Sequence, residues 1–149
     1  MSLKATIQDD VKQAMKARDR SRLGVLRLIS AAIKQIEVDQ RIELDDAGVL
    51  AVLDKMAKQR RESLEQYESA GRDDLAEQER YELEQIATYL PEPLSEQQLE
   101  TLIGEAIAAT GAASMQDMGQ VMGVLKPQVQ GRADMKAVSA AVRARLGAA

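Results

Sequence analysis

An all-α, multihelical fold is predicted from three observations. Apolar residues recur at three- and four-residue steps through most of the chain, the spacing of one buried helix face. No stretch alternates apolar and polar as a half-buried strand does, and no internal repeat of fixed period is present. Breaks fall at Gly and Pro, with Ser or Asp placed just beyond them to cap the next helix. The strongest break is Tyr89-Leu90-Pro91-Glu92-Pro93, where two prolines in three residues forbid helix continuation. The chain is therefore expected to divide into an N-terminal four-helix region, residues 1–90, and a C-terminal three-helix unit, residues 94–149.

Taken in order, the first helix runs from about Ser2 to Ala17, with Ile7, Val11, Ala14 and Met15 on one face. Asp19 caps a second that reaches about Val38, and Leu23, Leu26, Ile29, Ile33 and Ile36 form its apolar stripe. Asp45 caps the third and longest, Asp46 to Ser69, with Val49, Leu53, Met56, Leu64 and Tyr67 in register. Arg60 falls on that same stripe, so it either snorkels or meets a carboxylate of another helix, Glu37 and Glu82 being the candidates. Gly71 ends the third helix, and Asp74 with Glu77 is expected to form a capping box for the fourth, which carries Leu75, Leu83, Ile86 and Leu90. Ser95 and Gln98 form another box for the fifth, with Leu99, Leu102, Ile103 and Ile107, and Thr110-Gly111 stops it. Ser114 and Asp117 open the sixth; Asp134 opens the seventh, with Val138, Val142 and Leu146 apolar.

The stretch GQVMGVLKPQVQGRAD, Gly119 to Asp134, is the most distinctive. Met118, Val121, Met122, Leu125 and Val129 make an apolar helix face. Gly119 and Gly123 sit four apart, which allows another helix backbone to approach closely. Pro127 cannot donate to the Gly123 carbonyl and is expected to kink or restart the helix. Gly131 suits a left-handed position after the helix end, and Asp134 a cap. Lys126, Arg132 and Lys136 surround this corner, which reads as a packed structural turn or as a docking point for a phosphate or an acidic partner.

Composition narrows the chemistry. The 149 residues are 45% hydrophobic but only 2% aromatic, so the core must be built from Leu, Ile, Val, Met and Ala. Cys and His are absent, which excludes disulfides and thiolates and removes the commonest general base. There is no Gly-rich phosphate loop after a strand, no nucleophile elbow and no zinc spacing. No catalytic residue, cofactor or metal ligand is assigned; an oxygen-only Mg²⁺ cluster is the one metal option left open. Only Tyr67, Tyr81 and Tyr89 are available for base stacking, which argues against single-strand readout. No run approaches about 18 apolar residues and the N-terminus lacks a signal-peptide core, so a soluble, cytoplasmic chain without a membrane partner is expected.

Charge is unevenly spread. Residues 1–41 hold nine Lys/Arg against five Asp/Glu, residues 42–100 six against sixteen, and residues 101–149 five against three. The net charge of −4 opposes a general nucleic-acid coat protein but permits a local basic face.

Four segments together carry a family resemblance: RLGVLRLISAAIKQIEVDQRIEL (22–44), KQRRESLEQYESAGRDDLAEQE (58–79), YLPEPLSEQQLE (89–100) and MGQVMGVLKPQVQGRADMKAV (118–138). Along nearly its whole length the chain resembles the GatB/YqeY family. Two departures stand in the last segment: Met135 where Gly usually follows GRAD, and Pro127 where the family often has no proline. The resemblance implies an all-α protein whose C-terminal unit is like the tail of the amidotransferase B subunit. That large enzyme amidates Glu-tRNA(Gln) or Asp-tRNA(Asn); its tail helps hold the tRNA, and the chemistry lies elsewhere.

Three functions follow as expectations. The first is a module for tRNA or another folded RNA, without chemistry of its own, using Lys126, Arg132 and Lys136. The second is a protein-interaction adaptor for a tRNA-linked enzyme, using the acidic middle or an exposed Met-rich surface. The third is carbon–nitrogen ligase activity with glutamine as amido-N-donor, a label inherited from the larger enzyme, for which the sequence supplies no nucleophile, ammonia source or nucleotide loop.

Overall fold

Ser2, Asp19, Asp45 and Ser95 each accept the backbone N–H three residues on, from Ala5, Arg22, Gly48 and Gln98 respectively, at 2.9–3.2 Å. Each satisfies a donor that the first helical turn leaves free, and each starts a helix there. The computed structural model describes residues 2–147. Among them lie seven α-helices and no strand: α1 (Leu3–Ala17), α2 (Arg20–Gln40), α3 (Asp46–Ser69), α4 (Asp73–Ala87), α5 (Glu96–Thr110), α6 (Met118–Val129) and α7 (Met135–Gly147). The chain separates into two compact units, one ending at Leu90 and the other starting at Pro91.

In the first unit α3 and α4 form the most extensive helix pair, folded back through Gly71 at φ +70°. Ile7 of α1, Val25, Ile29 and Ile33 of α2, Val49, Val52, Leu53, Met56 and Ala57 of α3, and Ile86 of α4 make one core. Each fully buried Val, Leu or Ile there contributes roughly 1.5–3 kcal/mol relative to exposure. Polar ties hold the ends. Glu37 accepts Lys4 Nζ at 2.8 Å and Leu44 N–H at 2.8 Å. The Tyr89 hydroxyl donates to Asp10 Oδ2, and Arg22 lies 3.7 Å from that same oxygen. Burial, then the Asp10 carboxylate, pushes the Tyr89 phenol up to about 12.

Two expectations meet the structure here. Arg60 does find a carboxylate: its Nε lies 3.7 Å from Glu82 Oε2, while Glu37 is already engaged by Lys4. The box of Asp74 with Glu77 is not formed. Helix α4 starts at Asp73, two residues too early for it, so Arg72 takes the cap position without a side-chain bond and Asp74 instead pairs with Arg72 at 3.5 Å.

The second unit packs three columns of aliphatic side chains: Ile103 and Ala106 of α5; Val121, Leu125 and Val129 of α6; Val138, Val142 and Leu146 of α7. The Ser95–Gln98 box is present, and Gly111 closes α5 in the left-handed region at φ +64°. Asp117 accepts the N–H groups of Ala113 and Ser114 at 2.9 and 3.2 Å, opening a single 3-10 turn, Met115–Asp117, from which α6 follows. Helix α6 runs through Pro127 to Val129, so the proline neither ends nor restarts it.

Candidate nucleic-acid interface

The corner after α6 is built by its own backbone. Gln130 (φ −58°, ψ 127°) and Gly131 (φ +75°) sit between Val129 and Arg132, whose N–H donates to the Val129 carbonyl at 2.9 Å. These angles and that bond are a type II turn, which requires a positive φ at its third residue. Gly131 supplies it. Asp134 Oδ1 then accepts the Lys136 N–H at 3.1 Å, filling one free donor at the start of α7. The α7 N-terminus is thus already met by a carboxylate of this chain.

The three basic residues differ in occupation. Arg132 is half-buried and fastens the arm that enters the unit: its Nε donates to the Glu92 carbonyl at 3.0 Å, and its carbonyl accepts Leu94 N–H at 2.8 Å. Lys126 and Lys136 are exposed, and neither side chain has a hydrogen-bond or ion-pair partner among the described residues. Lys126 occupies the last turn of α6, where the helix dipole favours a cation.

Gly119 and Gly123 are not where a second helix approaches. A Cβ built on either finds nothing within 4 Å, because Val121, Leu125 and Val129 take the packing and turn the glycines to solvent. The exposed Met-rich surface is not found either. Met118, Met122 and Met135 lean on the second core, and of the described methionines Met15 and Met115, one in each unit, stand exposed among the large apolar residues.

A fourth cation, beyond the three that the corner's sequence singles out, follows Lys136 along α7. Arg143 is exposed and stands seven residues after Lys136 on α7, two helical turns along the same side. That spacing was legible. The role of Arg145 was not: its Nη1 donates to the Glu100 carbonyl at 3.0 Å, and its guanidinium lies over Gly104, where an added Cβ would stand 3.4 Å away. It ties α7 to α5.

All five Lys/Arg of the unit beyond Pro91 fall within residues 126–145, where Asp134 is the one carboxylate. Glu92, Glu96, Glu100, Glu105 and Asp117 lie outside that span. Exposed Lys126 on α6, and exposed Lys136 and Arg143 along one side of α7, are the cations of this unit free to meet an anion in water. Among the described residues no three carboxylates gather to hold a metal ion, and no helix is long and apolar enough to cross a membrane.

A family model described as Yqey-like protein matches residues 4–146. The chain is 37% identical over 71 residues to "Altered inheritance of mitochondria protein 41, mitochondrial" of Eremothecium gossypii, across 47% of this chain and 39% of that protein. It is 27% identical over 145 residues to the protein of the same name from Pyrenophora tritici-repentis, across 95% of this chain and 80% of the relative. The first match thus spans well under half the relative's length.

Proposed function

The chain belongs to the YqeY-like family, and from that premise we propose that it is a binding module for tRNA or a similarly folded RNA. The observation that carries this reading is the segregation of charge in the second unit. Lys126, Lys136 and Arg143 are exposed and, among the described residues, unpaired on a stretch, 126–145, that holds Asp134 as its one carboxylate, while the unit's other five carboxylates all precede it. Cations so placed neutralise phosphates without reading bases, which suits recognition of backbone shape. The three tyrosines lie in the first unit, so base stacking has no part in this interface. Resemblance to the tail of the amidotransferase B subunit points the same way.

In this reading Arg132 positions the corner rather than touching RNA, and no bond-making step falls to the chain. The compartment is the cytoplasm or, as the names of the two relatives have it for those proteins, a mitochondrion. Titrating the full chain with an unmodified tRNA transcript and with an unstructured RNA of equal length tests the proposal. The tRNA should bind tighter, with affinity falling steeply as salt rises. Equal affinity for both RNAs, or none at low salt, overturns it.

A further inference from the structure

Helix α2 buries Val25, Leu26, Ile29 and Ile33, and its opposite face is more unusual. Gly24, Leu28, Ala31, Gln35 and Val38 follow one another at steps of four, three, four and three residues, and all are exposed. Leu28 keeps 46% of its surface and Val38 63%. Alternating steps of three and four are those with which one helix packs along another. Beside this seam Arg20, Arg27 and Lys34 step by seven residues, about 10.5 Å at each step, and Arg41 stands at the helix end. Among the described residues none of these four side chains has a hydrogen-bond or ion-pair partner. On the other flank Asp39 is held by Gln35 at 2.9 Å.

Gly24 is compatible with a helix docked here. Glycine is unfavourable inside a helix relative to alanine, yet a Cβ built on Gly24 meets nothing within 4 Å. Nothing inside the chain requires a glycine there, and the missing side chain leaves room on this face for another helix backbone to come close.

We infer that this face docks an amphipathic α-helix of a partner protein. That helix carries small or apolar residues toward Leu28, Ala31 and Val38, and Glu or Asp at seven-residue spacing toward Arg20, Arg27 and Lys34. An RNA backbone would use the cations but leave Leu28 and Val38 in water. A second copy docked antiparallel through the same face would set each basic column against its twin, and a parallel copy would offer it only Asp39, already held by Gln35. Charge and seam together select an acidic partner helix. This surface belongs to the first unit, and the proposed RNA interface to the second.

The test places a photo-crosslinking benzoylphenylalanine at Leu28 of the full chain in its native cell, with the same residue at exposed Gln66 as control, and maps each adduct to its peptide. The expected adduct at Leu28, absent at Gln66, is a protein segment with helical apolar periodicity and acidic residues about seven apart. That segment, synthesised as a peptide, should bind the full chain and lose about tenfold in affinity with Arg27→Glu/Lys34→Glu. Leu28, Arg27 and Lys34 are exposed, and circular dichroism checks that the variants fold. Adducts to RNA alone, to a second copy, to a segment without acidic residues, or to nothing beyond the control overturn the inference. So does a peptide indifferent to Arg27→Glu/Lys34→Glu.

Discussion

Arg132 Nε donates to the carbonyl oxygen of Glu92 at 3.0 Å, while the Arg132 carbonyl accepts the N–H of Leu94 at 2.8 Å. One residue thereby fastens the Pro91–Leu94 arm on both sides to the turn before α7. Arg132→Lys keeps the charge but loses the Nε–H at that position. It should lower stability by about 1 kcal/mol in urea unfolding and leave the salt dependence of RNA binding unchanged. An unaltered midpoint would remove the structural role assigned to Arg132.

The glycines of the same region should part company on substitution. Gly131→Ala forces a left-handed φ on an L-residue and should cost about 1–2 kcal/mol. Gly119→Ala and Gly123→Ala enter open space within α6 and should each gain up to about 1 kcal/mol of helix propensity. Thermal melts of the three variants should therefore move in opposite directions, Gly131→Ala alone downward.

Arg60 sits 3.7 Å from Glu82, with 18% and 13% of the two side chains exposed, and its buried Nε has no hydrogen-bond acceptor. Glu79 lies nearby, its carboxyl raised by burial and then by the Glu82 charge, against the pull of Arg60. Arg60→Ala should cost about 2 kcal/mol, less than a fully buried pair because both partners keep some water. A carboxyl raised in the folded state is penalised where it must ionise, so the cost should shrink as pH falls from 7 toward 5. Equal losses at both pH values would show that Arg60 does not hold those charges.

The Tyr89 phenol, raised to about 12, is a group protonated longer in the folded state than in the unfolded one. Its contribution is full below the unfolded value of about 10 and is lost as pH climbs toward 12. Wild-type stability should therefore fall more between pH 8 and 10.5 than that of Tyr89→Phe. An ultraviolet titration should show the last tyrosine ionising near pH 12 and that step missing from Tyr89→Phe. Parallel stability curves would contradict the assignment.

Periodicity and caps were enough to read the seven helices, because aliphatic stripes such as Val49/Leu53/Met56 and donors such as Asp19 and Ser95 act locally. The start of α4 was misread because Asp74 had a competing partner in Arg72, which spacing alone does not weigh. Gly119 and Gly123 were misread because a small-residue spacing does not say which side of the helix faces the core. Of the basic corner, the turn at Gly131 was legible from backbone preference. The engagement of Arg132 with Glu92 was not, since it joins residues forty apart. Arg143 could have been found by its seven-residue distance from Lys136, while the unpartnered face of α2 needed exposure to be known.

The proposal that the second unit holds folded RNA through exposed cations stands or falls on salt dependence. The decisive quantity is the slope of log affinity against log salt for a tRNA transcript, compared between the full chain and Lys126→Ala/Lys136→Ala/Arg143→Ala. None of the three side chains has a protein partner among the described residues, so stability should not change. The triple variant should bind more weakly, with a slope shallower by up to about 0.9 for each duplex phosphate it no longer neutralises. A folded triple variant with the wild-type affinity and slope would contradict RNA binding by this face.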